Sequence, residues 1–353
     1  MFNYLLKSDV AQSDAPYVVN TVNCAGTMGK GVALSISKRH PEIVPRYKEM
    51  CKAKVLRPGS IALARAKSGQ LILNMATKDH YWSPSKSDWV GSGLFYLTQI
   101  LINEEPGRIA LPPPGAGNGG LRPAAVQQMA RIYLAPLIAK GFSVDWYGPE
   151  TDPIEYPDFF AGVGARDTPP EQLARMSQIS AILRDRGWFL RSGGAIGADT
   201  AFENGIGPQV GDEIYLAKQR RENPGILDVR ETHFRFVKNF HEKPSALSEY
   251  ATKLMARNGC QIFGADFTNP SAAVICWTPG GLEKGGTRMA IRLANRAGIP
   301  VLNLGDPALE NVDVETIADM AGEALTARRK LIGLSEHPEP EEMDGRDFGG
   351  CLA

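Results

Sequence analysis

Short apolar runs alternate with longer segments of mixed polarity along the whole chain. Runs rich in Val, Ile, Leu and aromatic residues predict strands, and apolar residues at helical spacing predict helices. In the first half the predicted strands are Phe2–Leu6, Tyr17–Val22, Ile61–Arg65, Leu71–Met75, Arg108–Leu111 and Phe142–Tyr147. The predicted helices are Met28–Lys52, broken by Pro41 and Pro45, then Ser87–Asn103 and Pro123–Lys140. This alternation predicts an α/β sandwich with a largely parallel sheet.

A second alternation follows a segment rich in proline and acidic residues, Gly148–Pro157, which is typical of a linker. Its predicted strands are Phe159–Val163, Trp188–Arg191, Ile214–Ala217, Ala272–Trp277 and Val301–Leu304. Its predicted helices are Pro170–Arg186, Leu247–Asn258, Gly286–Ala297 and Val314–Ile332. We therefore expect domains at residues 1–150 and 157–333, the second one doubly wound, and a mobile acidic tail at 335–353.

Composition supports a two-domain globular protein. The chain has 353 residues, of which 43% are hydrophobic and 22% charged, and 39 basic residues balance 39 acidic ones. Without a net charge, no overall field attracts nucleic acid or a lipid surface. The 5 cysteines form no CxxC pair, so we expect reduced thiols and no metal site. We expect no cofactor either. No transmembrane or signal segment is evident, which indicates a cytoplasmic protein that does not bind membranes.

Glycine-rich loops follow three predicted strands and precede helix-like segments, at residues 19–31, 109–121 and 190–199. Backbone N–H groups at such junctions can bind phosphate groups, and glycine permits close approach of the ligand. Any one of these loops alone is as readily explained by a simple turn. Three of them, with asparagines next to the first two, favour a protein that handles phosphorylated nucleotides.

Three sequence blocks carry a resemblance to a known family: NTVNCAGTMGKGVAL (20–34), NMATKDHYWSPSKSDWV (74–90) and LPPPGAGNGGL (111–121). In this order they resemble a macrodomain, the ADP-ribose-binding module, and most closely the DarG-like branch of DNA ADP-ribosyl glycohydrolases. The resemblance covers residues 1–150 and implies a three-layer sandwich. It also implies ligand-binding roles for Asp9, Asn20, Gly29, Lys30, Gly31, Gly115, Gly117, Asn118, Gly119 and Gly120.

The same resemblance places the catalytic lysine of the branch at Lys78, and we expect His80 and Asn23 to assist it. A desolvated lysine has a lowered pKa and can act as a nucleophile or a base where oxocarbenium character develops. A solvated surface lysine and a packed histidine are the alternatives. Trp82 and Trp89 are candidates for stacking on a base or for packing in the core.

One departure from the branch concerns the residue after the second loop. The branch usually carries an acid there, whereas this chain has Arg122. The missing carboxylate removes a candidate general acid or base, and such groups typically contribute about 10²–10⁴-fold in rate. Binding of ADP-ribose is therefore expected, and hydrolysis stays open.

The second half resembles the SLOG superfamily, which includes DprA and the LOG phosphoribohydrolases, over residues 157–310. The resemblance implies a Rossmann-like nucleotide-binding domain, and a dimer or tetramer by analogy. Its expected ligand-binding residues are Arg166, Ser192, Gly193, Gly194, Gly197, Asp199, Thr278, Gly285, Gly286 and Thr287. LOG enzymes carry glutamates after this glycine–threonine turn, but here Arg288 and Met289 follow. Hydrolysis by that mechanism is not expected.

Two functions follow from the sequence. The first is an ADP-ribosyl glycohydrolase acting on ADP-ribosylated DNA or protein, or on an NAD-derived metabolite, coupled to a SLOG domain that senses a second nucleotide. The alternative is a non-catalytic binder, with both domains sensing or sequestering nucleotide messengers in conflict between bacteria and phages. Arg122 and the absent LOG glutamates favour the alternative. A third interpretation, an adaptor with inactive pockets, would bind no nucleotide.

Overall fold

A computed structural model describes residues 1–6, 8–207, 209–218 and 225–334. The first lobe contains a six-stranded sheet in the order β1-β6-β5-β2-β4-β3. Its strands are β1 Phe2–Tyr4, β2 Tyr17–Asn23, β3 Ile61–Arg65, β4 Leu71–Lys78, β5 Arg108–Leu111 and β6 Ser143–Trp146. Strand β3 runs antiparallel to β4 and the other neighbours are parallel, which confirms the largely parallel sheet predicted for this half.

The helices of the first lobe are α1 Gly31–Arg39, α2 Val44–Lys52, α3 Ser87–Leu101, α4 Pro123–Tyr133 and α5 Ala135–Ala139. The predicted break in the first helix is confirmed, because a 3₁₀ turn at Pro41–Ile43 separates α1 from α2. The single helix predicted over Pro123–Lys140 is instead two helices. Pro136 falls in the first turn of α5, where its missing N–H breaks no helical hydrogen bond.

The second lobe contains a five-stranded sheet in the order β11-β10-β7-β8-β9, with all neighbours parallel. Its strands are β7 Phe159–Gly164, β8 Phe189–Ser192, β9 Glu213–Ile214, β10 Ala273–Trp277 and β11 Val301–Asn303. Its helices are α6 Pro170–Asp185, α7 Ala198–Ile206, α8 Glu231–Phe240, α9 Glu249–Phe263, α10 Arg288–Ala297 and α11 Val314–Ile332. The tail predicted at 335–353 lies outside the described residues.

The two lobes share one apolar core, which is built mainly by α3 and α4 on one side and α8, α9 and α10 on the other. Phe95 on α3 lies 5.2 Å from Phe236 on α8, centroid to centroid, and Phe263 stacks on Phe267 at 5.2 Å. The hydroxyl of Tyr133 on α4 donates to the carbonyl of Phe267 at 2.9 Å. This packing continues the core of the first lobe into the second.

Charged groups also cross between the lobes. The carboxylate of Asp88, at the start of α3, is buried and accepts from Arg230 and from the hydroxyl of Thr232, each at 3.1 Å. Both partners lie at the start of α8. Burial makes this cluster sensitive to loss of either charge. None of the helices within the described ranges has an apolar stretch long enough to cross a bilayer.

Candidate functional site

A cavity of about 710 Å³ opens at the carboxyl edge of the first sheet. It lies between the loop after β2, residues 24–30, and the loop after β5, residues 112–120, with the end of β4 beside them. Ligands of open α/β sheets bind at this edge, because loops from neighbouring strands converge there. The cavity falls within the size range of small-molecule sites.

The side chain of Asn23 holds the first loop in shape. Its Oδ1 accepts from the N–H of Ala25 at 3.0 Å and of Thr27 at 3.3 Å, and its Nδ2 donates to the carbonyl of Thr27 at 2.6 Å. The hydroxyl of Tyr47 donates to the backbone carbonyl of Asn23 at 2.6 Å. The amide of Asn23 thus makes local hydrogen bonds of the kind that close a turn.

The second loop takes its path through glycines in the left-handed region. Gly115 has φ +76° and Gly120 has φ +82°, a conformation that L side chains rarely adopt. A Cβ on Gly115 would lie 2.8 Å from a methyl of Val90, so packing as well as backbone conformation requires glycine. The N–H of Ser85 donates to the carbonyl of Gly119 at 2.9 Å and anchors this loop to the segment before α3.

The two loops face each other closely. A Cβ built on Gly31, which has φ +56°, would lie 3.4 Å from the side-chain amide of Asn118. Gly31 is also the first residue of α1, and among the described residues no side-chain cap satisfies the N–H groups of that first turn. Such groups favour an anion. The first turn of α1 and the second loop therefore border the same cavity.

Lys78 lies at the end of β4 and lines the cavity. Its Nζ donates to the backbone carbonyl of Asn118 at 2.5 Å, which aims the amine across the cavity at the second loop. Burial lowers the pKa of Lys78 from its ordinary value. A depressed pKa increases the fraction of neutral amine, the form that acts as nucleophile or base.

Two exposed aromatic side chains stand at the rim beside Lys78. Trp82 is 72% exposed and Tyr81 57% exposed, and both line the cavity. The ring of His80 lies 4.4 Å from that of Tyr81 and 4.7 Å from that of Trp82, and it supports both rings from outside the lining. Large exposed rings at a cavity mouth provide a surface on which a base can stack.

The structure brings most of the predicted first-lobe residues together and leaves a few apart. Those that line the cavity are Asn23, Gly29, Lys30, Gly31, Lys78, Gly115, Gly117, Asn118 and Gly119. Gly120 and His80 adjoin the lining without contributing to it. Asp9 lies outside it, and its carboxylate accepts the N–H of Ala11 at the start of a 3₁₀ turn. Asn20 is fully buried and donates to Asn74 at 2.8 Å.

Sequence reasoning missed Ser85 and Tyr81 as lining residues. Ser85 is 6% exposed, and within the described part of the chain its Oγ has no hydrogen-bond partner. A Cβ on Gly119 would lie 2.4 Å from this Oγ, so the hydroxyl lies directly against the second loop. The position of Ser85 before α3 gives no sequence signal for this contact, which depends on tertiary packing.

A second cavity, of about 430 Å³, opens at the carboxyl edge of the second sheet. Of the residues predicted there, Arg166, Asp199, Gly285, Gly286 and Thr287 line it. Gly193 borders a smaller adjoining pocket together with Arg257. The remaining predicted residues, Ser192, Gly194, Gly197 and Thr278, lie outside the lining, where Ser192 donates to Glu203 at 2.7 Å and Thr278 donates to the carbonyl of Leu282.

A buried carboxylate occupies the start of α7. Asp199 is 3% exposed and accepts the N–H of Ala195 at 3.1 Å, and its Oδ2 lies 3.9 Å from Arg257. Burial raises the pKa of Asp199, and Arg257 and the N–H groups of the surrounding loops oppose that rise. Because these N–H groups already serve a carboxylate, a phosphate at the same turn would meet like charge.

Comparison with known proteins relates the first lobe to a family. Residues 19–130 match the Macro domain family model. The DNA ADP-ribosyl glycohydrolase of Mycobacterium tuberculosis is 38% identical over 125 residues, 34% of this chain and 35% of the relative. That of Thermus aquaticus is 34% identical over 151 residues, 42% of this chain and 41% of the relative. The chain thus spans about 35–41% of the length of these relatives.

Solved structures with a similar sequence also match this part of the chain. The macrodomain of Mycobacterium tuberculosis DarG covers 42% of the chain at 32% identity, with a TM-score of 0.39, and the match spans 99% of that structure. Thermosipho africanus DarTG in complex with ADP-ribose covers 43% of each chain at 26% identity, with a TM-score of 0.37. On the family model and the sequence identity, the first lobe contains a macrodomain of the DarG-like type.

Proposed function

We propose that the first lobe binds ADP-ribose and hydrolyses its glycosidic bond in ADP-ribosylated DNA or protein, or in an NAD-derived metabolite. One observation carries the proposal. Lys78, whose pKa is lowered by partial burial, faces two loops rich in backbone N–H groups across a single cavity. The related DNA ADP-ribosyl glycohydrolases of Mycobacterium and Thermus support this chemistry.

In this proposal the backbone positions the diphosphate. The start of α1 at Gly31 and the turn at Gly117–Gly119 offer N–H groups from opposite sides, so little cationic side-chain charge is required. The distal ribose then extends toward Lys78, at the end of β4. Trp82 and Tyr81, on the same side as Lys78, provide a stacking surface for the base or group to which ADP-ribose is attached.

The neutral amine of Lys78 has two routes to hydrolysis. As a base it accepts a proton from the water that attacks the anomeric carbon while the glycosidic bond breaks, and the ammonium so formed returns that proton to the leaving group. As a nucleophile it bonds to that carbon itself and gives its proton to the leaving group, the sugar ring then opens to an imine, and water hydrolyses the imine to release the sugar. Borohydride reduction separates the routes, because it traps an opened imine on Lys78 only in the second.

The experiment compares wild type with Lys78→Ala and Lys78→Arg on a DNA oligonucleotide carrying ADP-ribosylated thymidine. We expect both variants to lose about 10²–10⁴-fold in turnover. Alanine has no amine, and the guanidinium of arginine stays protonated, so neither can act as a base or a nucleophile. Affinity for ADP-ribose should stay within a few-fold. Lys30→Ala is the matched control: this lysine also lines the cavity, at the start of α1, and its loss should weaken binding more than turnover.

The non-catalytic alternative has a specific observation in its favour. The cavity lining, among the residues that the structure describes, contains two lysines, Lys30 and Lys78, but neither a carboxylate nor a histidine. Arg122, where the branch carries an acid, is exposed at the start of α4. If wild type binds ADP-ribose and leaves the modified thymidine intact, this alternative replaces the hydrolase.

For the second lobe we propose a SLOG-like nucleotide-sensing role. The support is a cavity at the carboxyl edge of a parallel sheet, bordered by the glycine turn that precedes α10. The packing of α8 and α9 against α3 gives such a ligand a physical route to the first lobe. In the non-catalytic alternative, both domains sense or sequester nucleotide messengers in conflict between bacteria and phages. Binding of a mononucleotide while ADP-ribose saturates the first cavity tests this role.

A further inference from the structure

The first turns of α3 lie between the second loop of the first cavity and the second lobe. On one side, a Cβ built on Gly115 of that loop would lie 2.8 Å from a methyl of Val90. On the other side, a Cβ built on Gly91 would lie 2.4 Å from Cβ of Phe267, in the second lobe. Consecutive residues of one helix therefore contact both sides. Because packed interiors transmit strain, a shift of the helix at the second lobe also displaces its contact with the loop.

The carboxylate of Asp88 is the polar link at the same end of α3. Asp88 is 2% exposed, its Oδ1 accepts from Arg230, and its Oδ2 accepts from the hydroxyl of Thr232. Both donors belong to the second lobe, at the start of α8. A buried carboxylate depends on its partners, because losing one leaves a charge without solvent or counter-charge. The second lobe therefore fixes where α3 begins.

The segment that leads into α3 holds the second loop and, through it, the amine of Lys78. Three residues before Asp88, the N–H of Ser85 donates to the carbonyl of Gly119 at 2.9 Å. The neighbouring carbonyl, that of Asn118, accepts from Nζ of Lys78. The loop thus lies between its anchor at α3 and the amine. The direction of the amine depends on how firmly that anchor is held.

We infer that the second lobe completes the site of the first, and that Asp88 is the positioning residue through which it acts. Arg230 and Thr232 hold Asp88, the start of α3 holds the second loop, and the loop holds the amine of Lys78. The inference deepens the proposed hydrolase function, on which its prediction for turnover rests. Its predictions for the order of the loop and for ADP-ribose affinity do not require hydrolysis.

The expected effects differ between turnover and binding. A misplacement of about 1 Å, caused by a change far from the chemistry, can lower a rate about 10²-fold. Loss of Arg230 should therefore lower kcat by about 10- to 100-fold. Binding should suffer less, because the first loop keeps the hydrogen bonds of Asn23 and Tyr47 that fix it. We expect affinity for ADP-ribose to fall about three- to tenfold, since the second loop must then be ordered on binding.

The experiment begins with hydrogen exchange, followed by mass spectrometry, on the full chain without ligand. Arg230→Met should raise exchange at least about tenfold in peptides covering residues 85–90 and 115–121. The first loop, residues 24–30, serves as an internal control and should stay within about twofold of wild type. Calorimetry with ADP-ribose and turnover of a DNA oligonucleotide carrying ADP-ribosylated thymidine then give affinity and kcat, well below the melting temperature of each variant.

Matched variants separate positioning from stability. Thr232→Val removes the hydroxyl at nearly constant volume and should act as Arg230→Met does, whereas Thr232→Ser keeps the hydroxyl and should restore most of the wild-type kcat. Arg329→Met is the control for loss of a buried arginine. Arg329 is 4% exposed and donates to Glu155 and Asp158, just before β7. Its loss should lower the melting temperature but leave exchange at 115–121, affinity and kcat within about twofold of wild type.

The failures of the inference and of the proposed function are distinguishable. If Arg230→Met is less stable but exchanges at residues 115–121 as wild type does, the ion pair is only structural and the inference is overturned. Equal losses in Thr232→Val and Thr232→Ser also contradict it, because the hydroxyl would then not matter. If wild type binds ADP-ribose without hydrolysing the substrate, the hydrolase proposal fails. Exchange and affinity then decide the inference: unchanged values in Arg230→Met overturn it, and the predicted changes support it.

Discussion

The role of Asn23 can be decided by substitution, because the sequence and the structure suggest different ones. The sequence resemblance predicts that Asn23 assists catalysis, whereas in the structure its amide closes the first loop. Asn23→Ala removes two N–H contacts to Oδ1, one donated bond to Thr27, and a longer contact from the Tyr47 hydroxyl at 3.4 Å. The loop therefore loses the bonds that fix its backbone.

The magnitude follows from these contacts. A typical intramolecular hydrogen bond contributes about 0.5–1.5 kcal/mol. Ala25 and Thr27 are exposed, so water replaces part of what they lose, and Tyr47 keeps its bond to the Asn23 carbonyl. We therefore expect the free energy of unfolding to fall by about 2–3 kcal/mol. Affinity for ADP-ribose should fall about tenfold, since the loop must be ordered on binding.

Urea denaturation measures the stability and calorimetry measures the affinity. Asn118→Ala is the matched control: this asparagine lines the same cavity from the second loop, but its side chain is exposed. It should leave the free energy of unfolding within about 0.5 kcal/mol of wild type. The reasoning is refuted if Asn23→Ala is as stable as wild type, binds ADP-ribose normally and yet loses turnover. That result would restore a catalytic role.

Other consequences of the fold can be measured in the same way. Gly91→Ala would place a Cβ 2.4 Å from Cβ of Phe267, so we expect the free energy of unfolding to fall by about 1–3 kcal/mol. Gly322→Ala on α11 is the control, because a Cβ there meets no atom within 4 Å, and it should leave stability unchanged or raise it. If the two substitutions change the free energy of unfolding equally, the packed contact between the lobes is contradicted. Burial lowers the pKa of His233 to about 4, so the unfolded state binds more protons between pH 6.5 and 4. The free energy of unfolding of wild type should therefore fall by about 3 kcal/mol more than that of His233→Gln between pH 7 and pH 4. Parallel curves of stability against pH for the two proteins would contradict the lowered pKa.

The sequence predicted most strands and the glycine loops, because buried parallel strands are continuous apolar runs. It missed α8, whose buried face carries Thr232 and His233 beside Phe236 and Val237. Polar residues on a buried face hide the helical spacing, and here they bond to Asp88 and to the carbonyl of Gly264. The predicted end of α9 at Asn258 was also wrong. The helix continues to Phe263 through Gly259, which lets His233 of α8 approach closely.

The candidate site shows the same division between local and tertiary information. The loop glycines and Lys78 carry local signals, namely positive φ, helix starts and position at a strand end. Strand β4 extends three residues beyond its predicted end at Met75, because its pairing with β2 continues until Asn23 of β2 pairs with Lys78 of β4. The contact of Ser85 with the second loop depends on segments that meet only in the folded chain, so no local pattern reveals it.

A crystal structure of the protein with ADP-ribose bound tests most directly the central claim, that the first cavity holds this ligand beside Lys78. The account predicts the diphosphate between Gly29–Gly31 and Gly115–Gly119, with the anomeric carbon of the distal ribose within reach of Nζ of Lys78. A ligand bound elsewhere, or one whose distal ribose points away from Lys78, would contradict it.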